Sequence, residues 1–205
     1  MSREAFEQVY RDGRWGVGLG SGHGSRPWAT LPYRRYLSDF IRSNGVGSVV
    51  DYGCGDWEIG RRLDWQGATY TGVDVVPHLV QRNQREFARP GVDFLVTPDD
   101  PAELPRADLL LCKDVLQHLP NADIQEFLVT VVTRFPMALI IDDAPGTAAD
   151  TNTDIAAGGW RCVDIRQPPF DLDATVVRML RMPPAITRKL QKLNGGTKSV
   201  MLVRS

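Results

Sequence analysis

The stretch VVDYGCGDW, Val49 to Trp57, constrains this chain more than any other. An apolar run ends in a carboxylate, Asp51, Gly53-x-Gly55 follows at once, and the start of a helix is expected next. Glycines in those places let a backbone turn sharply after a strand and approach a ligand closely. A pyrophosphate loop would continue as G-x-G-x-x-G, but the next glycine is Gly60, which is the wrong spacing. Asp51 and Asp56 also flank the turn. Their charge disfavours phosphate and suits a ligand carrying a cationic amine or sulfonium.

Around this loop the pattern alternates strand and helix. Strands are predicted at 47–52, 68–74, 92–96, 107–113 and 137–142, as short and nearly continuous apolar runs. Such runs are expected where both faces of a strand are covered. A helix is predicted from Pro32, with Thr30 as a capping candidate and Tyr33, Tyr36, Leu37, Phe40 and Ile41 on one face. Another is predicted over 121–134, capped by Asn121 and ended by Pro136. Repeated units of this kind imply an α/β fold with a doubly wound parallel sheet. Further runs at 160–165, 174–181 and 198–204 read as strands, the last two separated by a Pro-started, Gly-ended helix-like insert. They suggest an antiparallel addition at the end of the sheet.

Acids recur where such a sheet binds ligands. Asp74 ends the second strand about 20 residues after the loop, where a carboxylate accepts hydrogen bonds from ribose hydroxyls. Asp99 and Asp100 follow the third strand. All lie at the carboxyl ends of strands, the binding edge of open α/β sheets.

These residues resemble the class I S-adenosylmethionine-dependent methyltransferases. VVDYGCGDW is similar to their first motif, and KDVLQHLP, Lys113 to Pro120, to the segment after their fourth strand. The resemblance covers roughly residues 30–205. It implies a Rossmann-like doubly wound sheet of seven strands, mostly parallel with an antiparallel C-terminal strand. It implies S-adenosyl-L-methionine as cofactor, bound by Asp51, Gly53, Gly55, Asp74, Val75 and Lys113, with Asp99 or Asp100 meeting the adenine amine. Arg34 either pairs with the cofactor carboxylate or is a solvated charge. Trp57 departs from the commoner small residue at the turn. The GCGDW variant resembles small bacterial enzymes of carbohydrate or natural-product loci, those methylating mannosides for methylated polysaccharides among them. The implied reaction is methyl transfer to a hydroxyl of a small sugar-like acceptor.

Transfer to oxygen needs a proton acceptor. The chain has His23, His78 and His118, and His118 follows the fourth strand, near the edge where the methyl group should be. It ranks first as general base, the alternative being a helix-capping role. Asp114, Asp142 and Asp143 could converge on the same pocket, and three carboxylates repel unless a cation joins them. The set resembles that of magnesium-dependent sugar O-methyltransferases, which implies Mg2+ as a second cofactor; the plainer reading is that these acids end strands or cap helices. Trp160 could stack on a sugar ring or pack in the core, and His23 could reach the acceptor from the glycine-rich segment.

Residues 1–30 carry alternating glycines with Trp15, His23 and Trp28, and are expected to form a flap over a ligand or else a tail. Residues 31–205 are expected to form one domain, in keeping with 205 residues. A net charge of -1 argues against a nucleic-acid partner. The longest apolar run, Met137 to Ile141, is too short to span a membrane, and the charged N-terminus lacks a secretory signal. Three widely spaced cysteines suit a reducing, cytoplasmic compartment. Only four of the 24 cationic residues are lysine, a bias that reads as genomic composition. The oligomeric state stays open, a homodimer included. The rival readings are transfer to nitrogen or to a non-sugar metabolite, and a non-catalytic cofactor-binding module.

Overall fold

Strands made of continuous apolar residues need cover on both faces, and helices supply it here. The computed structural model describes residues 3–14, 30–144, 151–181 and 196–205. In chain order these form α1 (Arg3–Arg11), α2 (Leu31–Ser43), β1 (Ser48–Tyr52), β2 (Thr69–Asp74), α3 (Pro77–Phe87), β3 (Val92–Val96), β4 (Leu109–Lys113), α4 (Asn121–Thr130), β5 (Met137–Asp143), β6 (Thr175–Arg181) and β7 (Thr197–Arg204). The strands make one seven-stranded sheet in the order β3-β2-β1-β4-β5-β7-β6. The pairs among β1 to β5 are parallel. Strand β7 runs antiparallel to both β5 and β6. The Rossmann-like sheet expected from the sequence is therefore present. Its strand order reverses between β1 and β4, which opens a crevice at the carboxyl ends of those two strands.

Alternate side chains of each strand feed two cores. On one face Tyr33, Leu37 and Ile41 of α2 pack against Val49, Leu109, Leu111, Leu139 and Ile141. On the other, Ile124, Phe127 and Leu128 of α4 pack against Val50, Leu110 and Ile140. Helix α1 lies inside the segment expected as a flap, yet its Phe6 joins the second core and Val9 is also buried. Residues 15–29, with Trp15, His23 and Trp28, lie outside the described residues, and so does most of the helix-like insert, 182–195.

Several sequence expectations are corrected. The glycine loop does not open an α-helix: turns lead to a single 3-10 turn, Gly60–Arg62. The reason is Trp57. It adopts a left-handed φ of 56° and is 1% exposed, within ring contact of Tyr70, Phe87 and Phe94. Its ring lies so close to Gly60 that a Cβ there would stand 2.1 Å from Trp57 Nε1. Residues 160–165 are not a strand either, although Cys162, Val163 and Ile165 are buried. The Asn152 side chain takes the place of a strand neighbour, accepting from Asp164 N and donating to Asp164 O, both at 2.9 Å. A side-chain amide thus satisfies backbone groups that a ladder would otherwise pair.

In α4 the first amide, Asn121 N, donates to Asp154 Oδ1 at 2.8 Å, so a loop carboxylate serves that end and the Asn121 side chain does not cap its own helix. The helix ends at Thr130 and is followed by a 3-10 turn, Val132–Arg134.

The Trp57 packing sets an expectation for stability. Trp57→Ala should destabilise the chain by about 3–5 kcal/mol, as for other buried aromatics. Gly60→Ala should cost roughly 1–3 kcal/mol through overpacking. Urea denaturation of both variants measures this, and an unchanged midpoint for Gly60→Ala contradicts the contact.

Candidate active site

The two glycines of the loop turn at positive φ, 80° for Gly53 and 57° for Gly55. A side chain at Gly53 would collide with Val115, 2.3 Å from its Cγ2, so only glycine brings the loop this close to the segment after β4. The loop amides are already engaged. Gly53 N and Cys54 N donate to Val73 O at 2.7 and 3.0 Å, and Gly55 N donates to Asp74 Oδ2 at 2.8 Å. Successive amides used in this way form no phosphate cradle. The sequence expectation of a non-phosphate ligand here thus gains a geometric reason.

Asp74 is the hinge of this half of the site. Its other oxygen accepts from Val76 N at 3.0 Å, and the residue is buried. Burial raises its pKa, while the amides of Val76 and Gly55 pull it back down. Each carboxylate oxygen has a second lone pair, which leaves acceptor capacity for a ligand diol. Along the same edge, at Val75, lies a cavity of about 290 Å³ lined by Tyr52, Val75, Thr97, Pro98, Asp99 and Phe127 and by charged side chains of α1 and α4, among them Arg3, Glu4, Asp123 and Glu126. A purine base fits a space of that size. Tyr52 is 7% exposed, and its hydroxyl hydrogen bonds to none of the described residues. Nothing local in the sequence marks Tyr52, which reads as one more strand residue of the core.

The two candidate adenine acids now separate. Asp99 lines the cavity, whereas Asp100 Oδ1 accepts from Ala102 N at 2.8 Å and caps the 3-10 turn Pro101–Glu103. Asp51 accepts from the Tyr70 hydroxyl at 2.8 Å. Burial raises its pKa to about 6, against the lowering effect of that hydrogen bond and of Lys113. Arg34 Nη1 donates to Arg62 O at 3.0 Å and so ties α2 to the turn after the glycine loop. His78 begins α3 and meets the Tyr10 ring edge-on, with centroids 6.4 Å apart.

On the other side of β1 the ends of β4, β5 and β7 hold a line of charges. Lys113 is ion-paired with Asp114 Oδ2 and lies over the Tyr33 ring, 5.5 Å from its centroid. The Lys198 ammonium bridges Asp114 Oδ1 at 2.5 Å and Asp143 Oδ1 at 2.7 Å. Burial raises the Asp114 pKa, but the two ammonium groups outweigh it and hold the carboxyl well below the usual range. Asp114 has a left-handed φ of 59°, a conformation that aspartate tolerates better than most residues.

This arrangement corrects the expected magnesium set. A lysine stands between Asp114 and Asp143, and Asp142 faces away into the other core, fully buried. Among the described residues no three His, Cys, Asp or Glu side chains come together in a metal-binding group. The donors do not fit Mg2+ while the ammonium is there, since a dication beside a buried cation is repelled.

His118 ends the 3-10 turn Leu116–His118. Its Nδ1 is 2.7 Å from Gly159 O, and because a carbonyl only accepts, Nδ1 carries the proton. Nε2 then bears a lone pair, with the Gln117 amide nitrogen 3.4 Å away. Burial lowers the His118 pKa, so the ring is neutral near pH 7. Next to it Trp160 Nε1 donates to Asp143 Oδ2 at 3.1 Å, and Gln117 Oε1 accepts from Asp143 N at 3.1 Å. His118 and Trp160, separate candidates in the sequence, lie at one edge, with Gln117 and Lys198 beside them.

Comparisons with known proteins find methyltransferases. Residues 49–134 match the family described as a methyltransferase domain. An uncharacterised methyltransferase of Mycobacterium tuberculosis is 30% identical over 98 residues, 47% of this chain and 50% of that protein. A ubiquinone biosynthesis O-methyltransferase of Xylella fastidiosa is 32% identical over 91 residues, 42% of this chain and 37% of that one. The match therefore spans about half the length of the first relative and less of the second.

Solved structures share the fold. The 1,6-didemethyltoxoflavin-N1-methyltransferase of Burkholderia thailandensis, with bound 1,6-didemethyltoxoflavin and S-adenosylhomocysteine, superposes with a TM-score of 0.62 at 22% identity, over 99% of this chain and 86% of that one. The magnesium protoporphyrin IX methyltransferase of Synechocystis with bound SAM gives 0.60 at 17% identity, over 100% and 98%.

Asp142 gives a test of the buried charges. Its carboxyl is 0% exposed, with Gln117 N 3.5 Å from Oδ1 and no partner for Oδ2 among the described residues. Burial, with Asp114 adding to it, raises its pKa to about 7. An unfolded aspartate releases its proton near pH 4. Between those values the folded chain holds a proton that the unfolded chain has lost, so stability falls as pH rises from about 4 to about 7. Asp142→Asn should remove that loss, gaining roughly 2–4 kcal/mol at pH 8 and little at pH 4. Thermal melts across this range check it; a gain independent of pH contradicts it.

Proposed function

We propose that this chain transfers a methyl group from S-adenosylmethionine to a hydroxyl of a small, sugar-like acceptor, with His118 as general base. The observation that carries the reading is Asp74, held by the Gly55 and Val76 amides, with a purine-sized cavity lined by the adjoining Val75 and by Asp99. Asp74 would hold the ribose diol, and Val75 and Asp99 would line the adenine site. Gly53 and Gly55 would pass beside the amino-acid end, with Asp51, once ionised, facing its ammonium. When bound, S-adenosylmethionine supplies an electrophilic methyl on a sulfonium.

The chain's own part in transfer is positioning and proton removal. The Gly159 carbonyl holds Nδ1–H of His118 and directs the basic lone pair to Nε2, which accepts the hydroxyl proton as oxygen attacks. Trp160, anchored on Asp143, offers a partly exposed ring of the kind that stacks on a sugar. The O-methyltransferase among the relatives supports oxygen as the nucleophile. The toxoflavin N1-methyltransferase likeness favours a second reading, transfer to a ring nitrogen, in which no strong base is needed.

Labelled methyl transfer from S-adenosylmethionine to a panel of sugars and hydroxylated metabolites tests the reading. His118→Ala should lower turnover by about 10²–10⁴ and leave cofactor affinity nearly intact. Because the neutral ring is the active form, kcat/KM should rise with pH through a value below the ordinary histidine pKa and level off by pH 7. A fully active His118→Ala enzyme moves the assignment to the nitrogen reading. Asp74→Ala should weaken S-adenosylhomocysteine binding by roughly 1.5–3 kcal/mol in calorimetry; an unchanged affinity contradicts the cofactor site.

A further inference from the structure

We propose that Lys198 is the built-in cation of the acceptor side, a positioning residue that does structurally what a divalent ion would do between Asp114 and Asp143. The inference rests on the methyltransferase reading for what the site binds, but its geometry stands independently. Strand pairing sets Lys198 of β7 directly opposite Asp143 of β5. From there its ammonium reaches Asp143 Oδ1 at 2.7 Å and Asp114 Oδ1 at 2.5 Å. Lys113 takes the remaining oxygen of Asp114. Trp160 takes the remaining oxygen of Asp143 at 3.1 Å.

One buried ammonium thus joins the ends of three strands, β4, β5 and β7, and fixes the tryptophan beside the Gly159 carbonyl that orients His118. A lysine suits this role because its compact ammonium has three donors. The Asp74 half of the site lies across β1 and shares none of these contacts. Loss of Lys198 should therefore loosen the acceptor wall and leave the cofactor frame in place. It should also leave Asp114 Oδ1 and Asp143 Oδ1 facing one position that no ammonium fills, a pair of hard oxygens with Lys113 still on the far oxygen of Asp114.

The test uses the full chain and Lys198→Met. Manganese(II), followed by electron paramagnetic resonance, is the metal probe, and calorimetry with S-adenosylhomocysteine is run on the same samples. Wild type should bind no Mn2+ at this position and keep full turnover in EDTA. Lys198→Met should bind one equivalent, show an acceptor KM raised at least ~10-fold, keep its S-adenosylhomocysteine affinity within about twofold, and recover part of its KM when Mn2+ is added. Rescue by a metal is an effect that a merely structural lysine would not show. Asp143→Asn, which keeps the side-chain volume, should raise the acceptor KM without creating Mn2+ binding, and it carries the kinetic arm if Lys198→Met does not fold. A wild-type chain that binds Mn2+ here and loses turnover in EDTA overturns the proposal. So do Lys198→Met or Asp143→Asn variants with a wild-type acceptor KM. Failure of the wild-type chain to bind S-adenosylhomocysteine instead refutes the underlying reading, and the Mn2+ comparison still decides the role of Lys198.

Discussion

The Asp74 carboxylate, held by two backbone amides, is the contact on which the ligand edge depends. One amide belongs to the glycine loop after β1 and the other to the segment leading into α3. A buried carboxylate is unfavourable unless it is hydrogen bonded. The same bonds that make its burial tolerable therefore fix the loop. Beneath the loop, Trp57 fills the space where a helix would otherwise begin, and its ring contacts reach β2, α3 and β3. The turn is thus held from two sides, by the carboxylate and by the aromatic core.

The second half of the edge is organised by charge. Lys113, Asp114, Lys198 and Asp143 alternate in sign across the ends of β4, β5 and β7. Buried ion pairs of this kind add less to net stability than their distances suggest, because both partners lose water. Removing one partner is costly, since the other is then left charged and buried. The network is accordingly better suited to holding geometry than to adding stability. His118 and Trp160 are held at its border, where the proposed proton transfer and ring stacking would need a fixed orientation.

Much of this was legible from the sequence. The five parallel strands, the antiparallel closing strand, Asp74 and the glycine turn all follow from apolar runs and their endings, which are local signals. What escaped the sequence was non-local. Nothing near residues 160–165 says that Asn152 will satisfy their backbone, so a buried apolar run read as a strand. Nothing near Asp143 says that Lys198 will arrive opposite it, so three acids read as a metal set. One signal was available: in a chain that otherwise uses arginine, lysines at two strand ends are conspicuous, and both prove to be ion-paired with the acids. Trp57 is unusual at such a turn, but its burial depends on Gly60 and on rings from three other elements.

The central claim is that the Asp74 edge is a preformed cofactor site, and a crystal structure with S-adenosylhomocysteine tests it most directly. The account expects the ribose hydroxyls within hydrogen-bond distance of Asp74, the purine beside Val75 and Asp99, and Trp57 still buried under the loop. A nucleoside bound elsewhere, or a loop that must expel Trp57 to admit it, would contradict the account.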